Sequence, residues 1–398
     1  MKHFKFTQVL LAGTAAALLA GQAHALDGDD MMKKLSAAYA AYGSQVSYES
    51  VTTDDTSVVA KGVKLKVENT DKPTELPLGD VTFSDVEEAD DGGYYAGNVS
   101  FQNIDMSKDG GHLTVKDIQI DGLTVPATPA ADNLDGMILF ESAHTGPITF
   151  EQDGKRVFQI EKVQSNVQIA DDSSSVSSDT AISGIWADLT DVKDPKAQET
   201  INALGLTNVN GNIATKGTWA TATGKVDLTE FSVDARDIGK INLTLGMSGY
   251  TLQLIKAMQD ATKAAAANPD KQAADTALGM TMMGLLQQLS FNGASIRFDD
   301  ASITKRLLDY FGKQQGVTGE QFAQSLKGMV PIMMAQLKVP ELQNQVSAAV
   351  SKFLDDPKNI ELKAAPPSPV AAPMIMGAAM GAPQTLPQVL GVSVTANQ

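Results

Sequence analysis

The chain has 398 residues, which is enough for one large domain or two ordinary ones, and its formal net charge is −16. An acidic surface of this size repels nucleic acid and anionic lipid head groups, so we expect no nucleic-acid partner. The sequence contains no cysteine, which excludes disulfides, thiolate metal ligands and cysteine nucleophiles.

Residues 1–25 carry the three features of a secretory signal peptide. Lys2 and Lys5 give a positive start, residues 9–19 are apolar, and residues 23–25 form a small-x-small cleavage site. The apolar segment is short for a membrane-spanning helix, which needs about 20 residues. The sequence therefore predicts cleavage before Leu26 and a periplasmic or secreted protein with no stable transmembrane span afterwards.

The residues that follow predict one helix and then strands. Strands are predicted over residues 45–51 and 57–67, with a turn at 71–73. The helix is predicted over residues 29–42, because apolar side chains recur there at helical spacing. These side chains are Met31, Met32, Leu35, Ala38, Tyr39 and Tyr42.

Three segments repeat nearly the same pattern of apolar, polar, apolar, polar, Asp or Asn, and apolar residues. They are residues 81–86, 99–104 and 113–118. Such alternation is typical of half-buried strands. Acidic residues followed by two glycines, at 90–93 and 108–111, favour hairpin turns between them. The repeat therefore predicts serial antiparallel strands, with the Asp or Asn marking a strand end.

The rest of the sequence predicts strands up to residue 248 and mainly helices after it. We expect an α+β fold: a large, curved, mainly antiparallel β-sheet with a helical C-terminal region packed on it. The predicted divisions are a β-rich region with a short N-terminal helix over 26–249 and a helical region with one or two strands over 250–363. An Ala-, Pro- and Met-rich flexible tail over 364–398 follows, in which residues 390–395 could add a strand to an open edge.

Few residues suit catalysis or metal binding. His112 and His144 are the only histidines after the signal, and Ser248 lacks the glycine spacing of a nucleophile elbow. We therefore predict no catalytic residue, no cofactor and no transition-metal site. The acidic residues at 85–91 leave calcium binding open, although a solvated hairpin tip explains them as well.

The Met-rich helices offer the best candidate for a binding surface. Methionine is flexible and polarizable, so it suits surfaces that accept varied apolar ligands. The alternative is that these helices simply cover one face of the sheet. The candidate residues for an apolar-ligand surface are Met280, Met283, Leu286, Met329, Met333 and Met334.

Short alternating segments such as residues 113–123 resemble those of AsmA-like and YdgA-like envelope proteins. This resemblance covers residues 58–248 and implies long β-sheets, some of which form grooves that accommodate lipid. Residues 296–354 and 382–387 resemble uncharacterised exported proteins of alphaproteobacteria. AsmA-like proteins usually keep an N-terminal membrane anchor, whereas this sequence predicts its removal, and no functional residue is carried over.

These observations favour a non-catalytic periplasmic or envelope protein that binds or shields a lipid or another apolar ligand. One alternative is a structural or protein-interaction component of the cell envelope without a ligand. A second is a hydrolase with an unrecognised carboxylate site. Alternation alone does not distinguish a core filled by helices from a groove filled by ligand, because both need the same apolar residues.

Overall fold

The computed structural model describes residues 26–41, 43–67, 74–335 and 339–398. The predicted signal peptide, Tyr42 and the turn at 71–73 lie outside the described residues. Within those ranges the chain forms 20 strands and nine α-helices, and the strand pairs are antiparallel. The α+β class with a large antiparallel sheet is thereby confirmed.

The strands account for most of the chain before residue 250. They are β1 Ser44–Ser47, β2 Ser50–Thr53, β3 Val58–Val67, β4 Thr74–Glu88, β5 Tyr94–Phe101, β6 Ile104–Lys108, β7 Gly111–Val115, β8 Gln119–Val125, β9 Ser142–Thr145, β10 Ile148–Gln152, β11 Lys155–Ile160, β12 Lys162–Ile169, β13 Ser175–Asp188, β14 Asn208–Ala220, β15 Lys225–Ala235, β16 Gly239–Ser248, β17 Ser290–Asp300, β18 Asn359–Ala364, β19 Val370–Ala371 and β20 Val392–Ala396.

Most of the helices lie between strands of the C-terminal part. They are α1 Gly28–Ala41, α2 Pro195–Leu204, α3 Leu252–Ala267, α4 Lys271–Leu286, α5 Ile303–Gln314, α6 Gly319–Ala335, α7 Pro340–Asp355, α8 Ala372–Gly381 and α9 Leu386–Val389. Among these helices of the described residues, none combines the length and the apolar character that crossing a membrane requires.

The chain groups into two compact units. The first contains residues up to 102 together with 118–143 and 168–175, and the second contains 103–117, 144–167 and 176–398. The predicted divisions at 249/250 and 363/364 do not coincide with this grouping. The reason is that strand pairing crosses them: β16 pairs with β17, and β17 pairs with β18, although helices separate these strands in sequence.

The first unit encloses a filled core between α1 and a sheet. β3 pairs with β1, β2 and β4, β4 pairs with β5, and β5 pairs with β8. Met31 and Met32 of α1 are fully buried against Val58, Tyr94 and Val99. Full burial of each such side chain contributes about 1.5–3 kcal/mol. In this unit, the alternation of apolar and polar residues predicted from the sequence places one face of the strands in the core beneath α1.

The repeated segments pair antiparallel, as predicted, but not as three whole strands in series: residues 81–86 on β4 pair with residues 96–101 on β5, and Ile104 on β6 pairs with Val115 on β7. Residues 99–104 span the end of β5 and the start of β6, and β5 pairs with β8 rather than with β6. β6 instead forms a hairpin with β7, in the second unit. Asp117, just after β7, has a positive φ of 52°, which turns the chain at the end of that strand. Asp85 also has a positive φ, 51°, but lies within β4.

The second unit contains two runs of paired strands. In one, β6 pairs with β7, β7 with β10, β10 with β11, and β11 with β13. In the other, each strand from β14 to β18 pairs with the next, and β18 pairs with β20. Helices α3 and α4 connect β16 to β17, and α5–α7 connect β17 to β18.

The predicted flexible tail differs from the structure. Residues 365–398 contain β19, α8, α9 and β20, and β20 pairs with residues 360–364 of β18. The predicted edge strand is therefore confirmed, with its start at Val392. The physical reason is that β18 offers unpaired backbone groups, and Ala396 is buried against α7, at 2% exposure.

Candidate apolar binding surface

The second unit exposes large apolar side chains in the middle of its sheet. These residues lie on β15, β16, β17 and β18, which are interior strands with neighbours on both sides. Their exposed fractions run from 38% to 49%, whereas Val81, Phe83 and Val99 on interior strands of the first unit are almost completely buried. We call this set the open apolar face; its members are Phe231, Val233, Ile241, Ile296 and Leu362.

The register of the strands places these side chains on one face. Leu243 on β16 lies opposite Phe231 on β15 and Ile296 on β17, and Ile296 lies opposite Leu362 on β18. Residues directly opposite each other in an antiparallel pair project to the same side. Val233 and Ile241 are two residues from members of this row, and side chains two residues apart in a strand share a face. The row is therefore continuous across four strands.

Helix α7 covers one end of this same face. Phe353 of α7 lies edge-on against Phe298 of β17, with ring centroids 6.3 Å apart. Ile360 and Val394, on β18 and β20, complete the contact, and Phe353 is only 8% exposed. The sheet face is thus a filled core beneath α7 and remains open over β15–β17 and around Leu362 of β18.

The reverse side of these strands is polar. Ser232 lies between Phe231 and Val233, so it points the other way, and its hydroxyl donates to Glu230 at 2.9 Å. On β17, the Arg297 guanidinium donates to both carboxylate oxygens of Asp299. One face of the sheet is therefore apolar and the other is hydrogen-bonded and charged, which allows the two sides to meet different partners.

Helix α4 presents two apolar stripes rather than one. Ala274, Leu278, Met282 and Leu285 recur at helical spacing and are buried or half-buried, and α4 packs against α3. A second stripe is exposed, because the helix has only one partner to cover it. Met280, Met283 and Leu286 form this second stripe, at 67%, 55% and 44% exposure.

Helix α6 repeats the arrangement. Phe322, Ala323 and Leu326 are buried or half-buried where α6 packs against α5 and α7. Met334 is half-buried and falls on this packed side. The exposed stripe is Met329, Ile332 and Met333, at 51%, 70% and 62% exposure. Five of the six residues named from the sequence are therefore exposed rather than used to cover the sheet, and Met334 is the exception.

The titratable residues considered for catalysis are not brought together. His112 Nε2 lies 2.8 Å from Asp105 Oδ1, and its Nδ1 lies 3.9 Å from Glu151. No serine hydroxyl bonds to this imidazole among the described contacts, and the Ser248 hydroxyl donates to Asn292 at 3.0 Å. His112 therefore links carboxylates on neighbouring strands, which is the arrangement of a structural contact.

The acidic residues at 85–91 make separate local contacts instead of forming one cluster. Asp85 packs against Gly97 on the adjacent strand, and the Asp91 carboxylate accepts a hydrogen bond from the Gly93 amide at 2.8 Å. Within the described ranges, no group of three or more His, Asp or Glu side chains is placed to hold a metal ion. The turn geometry accounts for this acidic segment.

Two of the described residues have strongly shifted pKa values. Hydrogen bonds from Thr190 and Lys155 lower the pKa of Asp188, at the end of β13, to about 2. Burial and the neighbouring Asp30 carboxylate raise the pKa of Tyr94 in the first unit. Both shifts are explained by local hydrogen bonding and packing, and neither residue is a member of the open apolar face.

Sequence reasoning identified the exposed methionines but missed the open apolar face. Its residues were placed correctly in strands, yet a strand covered by helices shows the same alternation. The available signal lay in the helices: α4 carries an apolar stripe that its partner helix does not cover, and α6 carries another. Where the helices that follow a sheet direct apolar side chains to solvent, those side chains do not cover the sheet, and part of its apolar face can remain exposed.

Part of the chain matches a family model. A family model described only as "Uncharacterized protein" is similar to this chain over residues 232–397. No curated protein matches the chain. The matched segment contains β16 to β20 and all the helices from α3 to α9, so the recognisable family region includes most of the open apolar face and both methionine stripes.

Proposed function

We propose that this protein binds or shields a lipid or another apolar molecule without catalysing a reaction. The observation that carries the proposal is the open apolar face, an aligned row of large apolar side chains exposed on interior strands. Contiguous exposed apolar surface on a protein marks an interaction site, because leaving it in water forgoes stabilisation.

The exposed methionine stripes extend this chemistry to the helices. Met280 and Met333 lie in helices connected to the strands of the open face, and neither packs into a core. A flexible, polarizable side chain adjusts to ligands of different shape at little cost. Burial of each ligand methylene contributes about 0.8 kcal/mol. The binding free energy of a long hydrocarbon chain therefore comes from its buried apolar area rather than from polar contacts.

The charge of the protein limits the class of lipid. With a net charge of −16, the chain repels anionic head groups at long range. We therefore propose that recognition acts on the apolar part of the ligand, with a neutral or zwitterionic polar part facing solvent. A fatty acid is the exception we include, because its single negative charge stays in water while the acyl chain is buried along the face.

The proposed setting is the periplasm or the exterior, after removal of the signal peptide predicted over residues 1–25. We also propose kinship with exported alphaproteobacterial proteins and with AsmA-like and YdgA-like envelope proteins. An open antiparallel sheet with one apolar side agrees with that kinship.

The main alternative is a protein-interaction component of the envelope whose apolar surface meets another protein instead of a ligand. It is favoured by the exposed stripe of α6, since a helix side of Met329, Ile332 and Met333 suits a helical partner as well as a lipid. A hydrolase with a carboxylate site is supported less well, because the described acidic side chains near the face are used in ion pairs such as Arg297–Asp299.

Native mass spectrometry of the purified protein, followed by organic extraction, tests the proposal. We expect a bound species that extraction removes and that chromatography identifies as lipid. A protein that carries no lipid, and that takes up none of a fatty acid or phosphatidylethanolamine added after extraction, would overturn the proposal. Stoichiometric capture of a protein partner with no lipid would favour the interaction alternative.

A further inference from the structure

The second unit also contains a polar groove, with a volume of about 780 Å³, that runs over β11, β13, β14 and β15. Asp234 lines it, whereas the adjacent Val233 belongs to the open apolar face. Successive side chains of a strand point to opposite faces, so the groove and the open apolar face lie on opposite sides of β15.

Two glycines line the groove. Gly184 on β13 has a positive φ of 64°, and its amide donates to the Asn212 side chain at 3.0 Å. The carbonyl before it accepts from the Glu161 amide at 3.0 Å, which is the hydrogen-bond pattern of a bulge with glycine in the left-handed conformation. A Cβ added to Gly184 would lie 2.3 Å from the Glu161 side chain, which covers this glycine, and a Cβ added to Gly211 on β14 would lie 2.4 Å from the Asp234 carbonyl. The two glycines therefore allow neighbouring groups to approach the backbone closely beneath the groove.

Trp186 supplies the aromatic surface of the groove. The indole is half-buried, and within the described residues its Nε1–H has no acceptor. The other tryptophan, Trp219, uses its Nε1–H to donate to the Tyr250 carbonyl at 2.8 Å. An indole with a free donor in a groove is available both to stack on a ligand and to donate to it.

The charged side chains around Trp186 balance one another. Arg156 and Arg236 are opposed by Glu161 and Asp234, so the lining carries no net charge. The Arg156 guanidinium donates to the Gln159 side chain at 2.7 Å, which holds both groups at the rim. Guanidinium, amide and carboxylate groups together offer donors and acceptors to neutral hydroxyls. An anionic ligand would gain from the arginines but lose against the carboxylates.

We propose that this groove binds a neutral oligosaccharide, with one sugar ring stacked on Trp186. A pyranose ring has an apolar face that suits an indole and a rim of hydroxyls that suits paired donors and acceptors. The volume of the groove falls in the range of small-molecule sites, which is about 300–1,000 Å³. The inference is independent of the apolar face, because it uses different residues on the opposite side of the sheet.

A single-tryptophan protein makes the test specific. The sequence has two tryptophans, so Trp219→Phe leaves Trp186 as the sole indole. This variant is titrated with maltohexaose, cellohexaose and the hexamer of N-acetylglucosamine, with the fluorescence of Trp186 as the readout. We expect at least one of the three to change the emission in a saturable way. Circular dichroism of Trp219→Phe checks that the fold is retained.

Calorimetry with the full chain then tests which residues contact the sugar. Trp186→Ala is expected to weaken binding at least about fivefold, whereas Trp186→Phe keeps a ring and loses less. Arg236→Ala is expected to weaken binding about threefold, and Tyr95→Thr in the first unit is expected to leave it unchanged. Removing the open apolar face with Ile296→Thr and Leu362→Thr should also leave it unchanged, which separates this proposal from lipid binding.

Three results would overturn the proposal. The first is no response to any of the three sugars at about 10 mM, a concentration that detects even weak binding. The second is binding of equal strength in wild type and Trp186→Ala. The third is binding of inorganic phosphate or a sulfated oligosaccharide with no binding of the neutral sugars, which would assign the groove to an anion.

Discussion

Ile296 on β17 and Leu362 on β18 lie directly opposite each other in the interior of the sheet, yet they are 49% and 47% exposed. In the first unit, Phe83 and Val99 also lie directly opposite each other, but they are only 2% and 1% exposed. Both pairs have the apolar side chains that a covered strand needs. The difference lies in what packs above them: α1 lies over the core of the first unit, whereas α7 covers only part of the second sheet.

Replacing exposed members of the face should change stability little. We expect Ile296→Thr with Leu362→Thr to lower the free energy of unfolding by under about 1 kcal/mol, because threonine suits a strand and both side chains are already half in water. Val99→Thr in the filled core is the matched control, and its buried hydroxyl should cost about 1–3 kcal/mol. Urea unfolding measures both. A loss from the double variant as large as that from the control would mean that the face is a core.

The exposed stripe of α4 should contribute to apolar binding and not to folding. Met280→Gln, Met283→Gln and Leu286→Gln together should weaken binding of a fluorescent fatty acid at least about threefold and leave the unfolding midpoint nearly unchanged. Met282→Gln, on the packed stripe, should instead destabilise the helix pair. If the triple variant binds as wild type does, the methionine stripe takes no part in the site.

The bulge glycine of the polar groove should be hard to replace. Gly184→Ala places a Cβ 2.3 Å from the Glu161 side chain and requires a positive φ, so we expect a loss of about 1–3 kcal/mol. Glu161→Ala in the same chain relieves the contact but not the φ cost, so part of the loss should remain. Gly279→Ala lies in a helix with open space around it and should stabilise by about 0.5–1 kcal/mol. Thermal unfolding of each variant measures whether the substitution lowers or raises its stability.

Acid should weaken the attachment of α1 to the first unit. The Lys34 ammonium binds the Asp30 carboxylate and the Tyr94 hydroxyl donates to it at 2.9 Å, and these contacts hold the pKa of Asp30 below its ordinary value of 3.8. A carboxyl with a lowered pKa in the folded state stabilises fully above the unfolded value and loses that contribution as the pH falls through the folded value.

Asp30→Asn is the variant that isolates this contribution. At pH 7 it should be less stable than wild type by about 0.5–1 kcal/mol, a modest figure because the carboxylate is partly exposed. The difference should shrink as the pH falls below about 4. Urea titrations at neutral and acidic pH measure it, and a difference that grows on acidification would contradict the assigned contacts.

Local signals in the sequence account for the ends of several helices. Pro195 and Gly205 bound α2, and the Thr318–Gln321 capping box begins α6 with both reciprocal hydrogen bonds, of 3.0 and 3.2 Å. Pro340 begins α7. Such signals act over three or four residues, so one sequence contains all the information they need.

Pairing and coverage could not be predicted in the same way. β5 pairs with β8 across the β6–β7 hairpin, and nothing in the alternation of residues 99–104 indicates which later strand is its partner. Ile296 likewise follows the pattern of a buried strand, and its exposure depends on where α7 ends its contact with β18 and β20. Both properties depend on residues far apart in sequence.

The most direct test of the account is a titration of the extracted protein with a fluorescent fatty acid, comparing wild type with Ile296→Thr and Leu362→Thr in one chain. We predict saturable binding by wild type, weakened at least about tenfold in the double variant and unchanged in Tyr95→Thr, which alters an exposed apolar residue of the first unit. No saturable binding by wild type, or equal binding by wild type and the double variant, would contradict the assignment of the open apolar face as a lipid-binding surface.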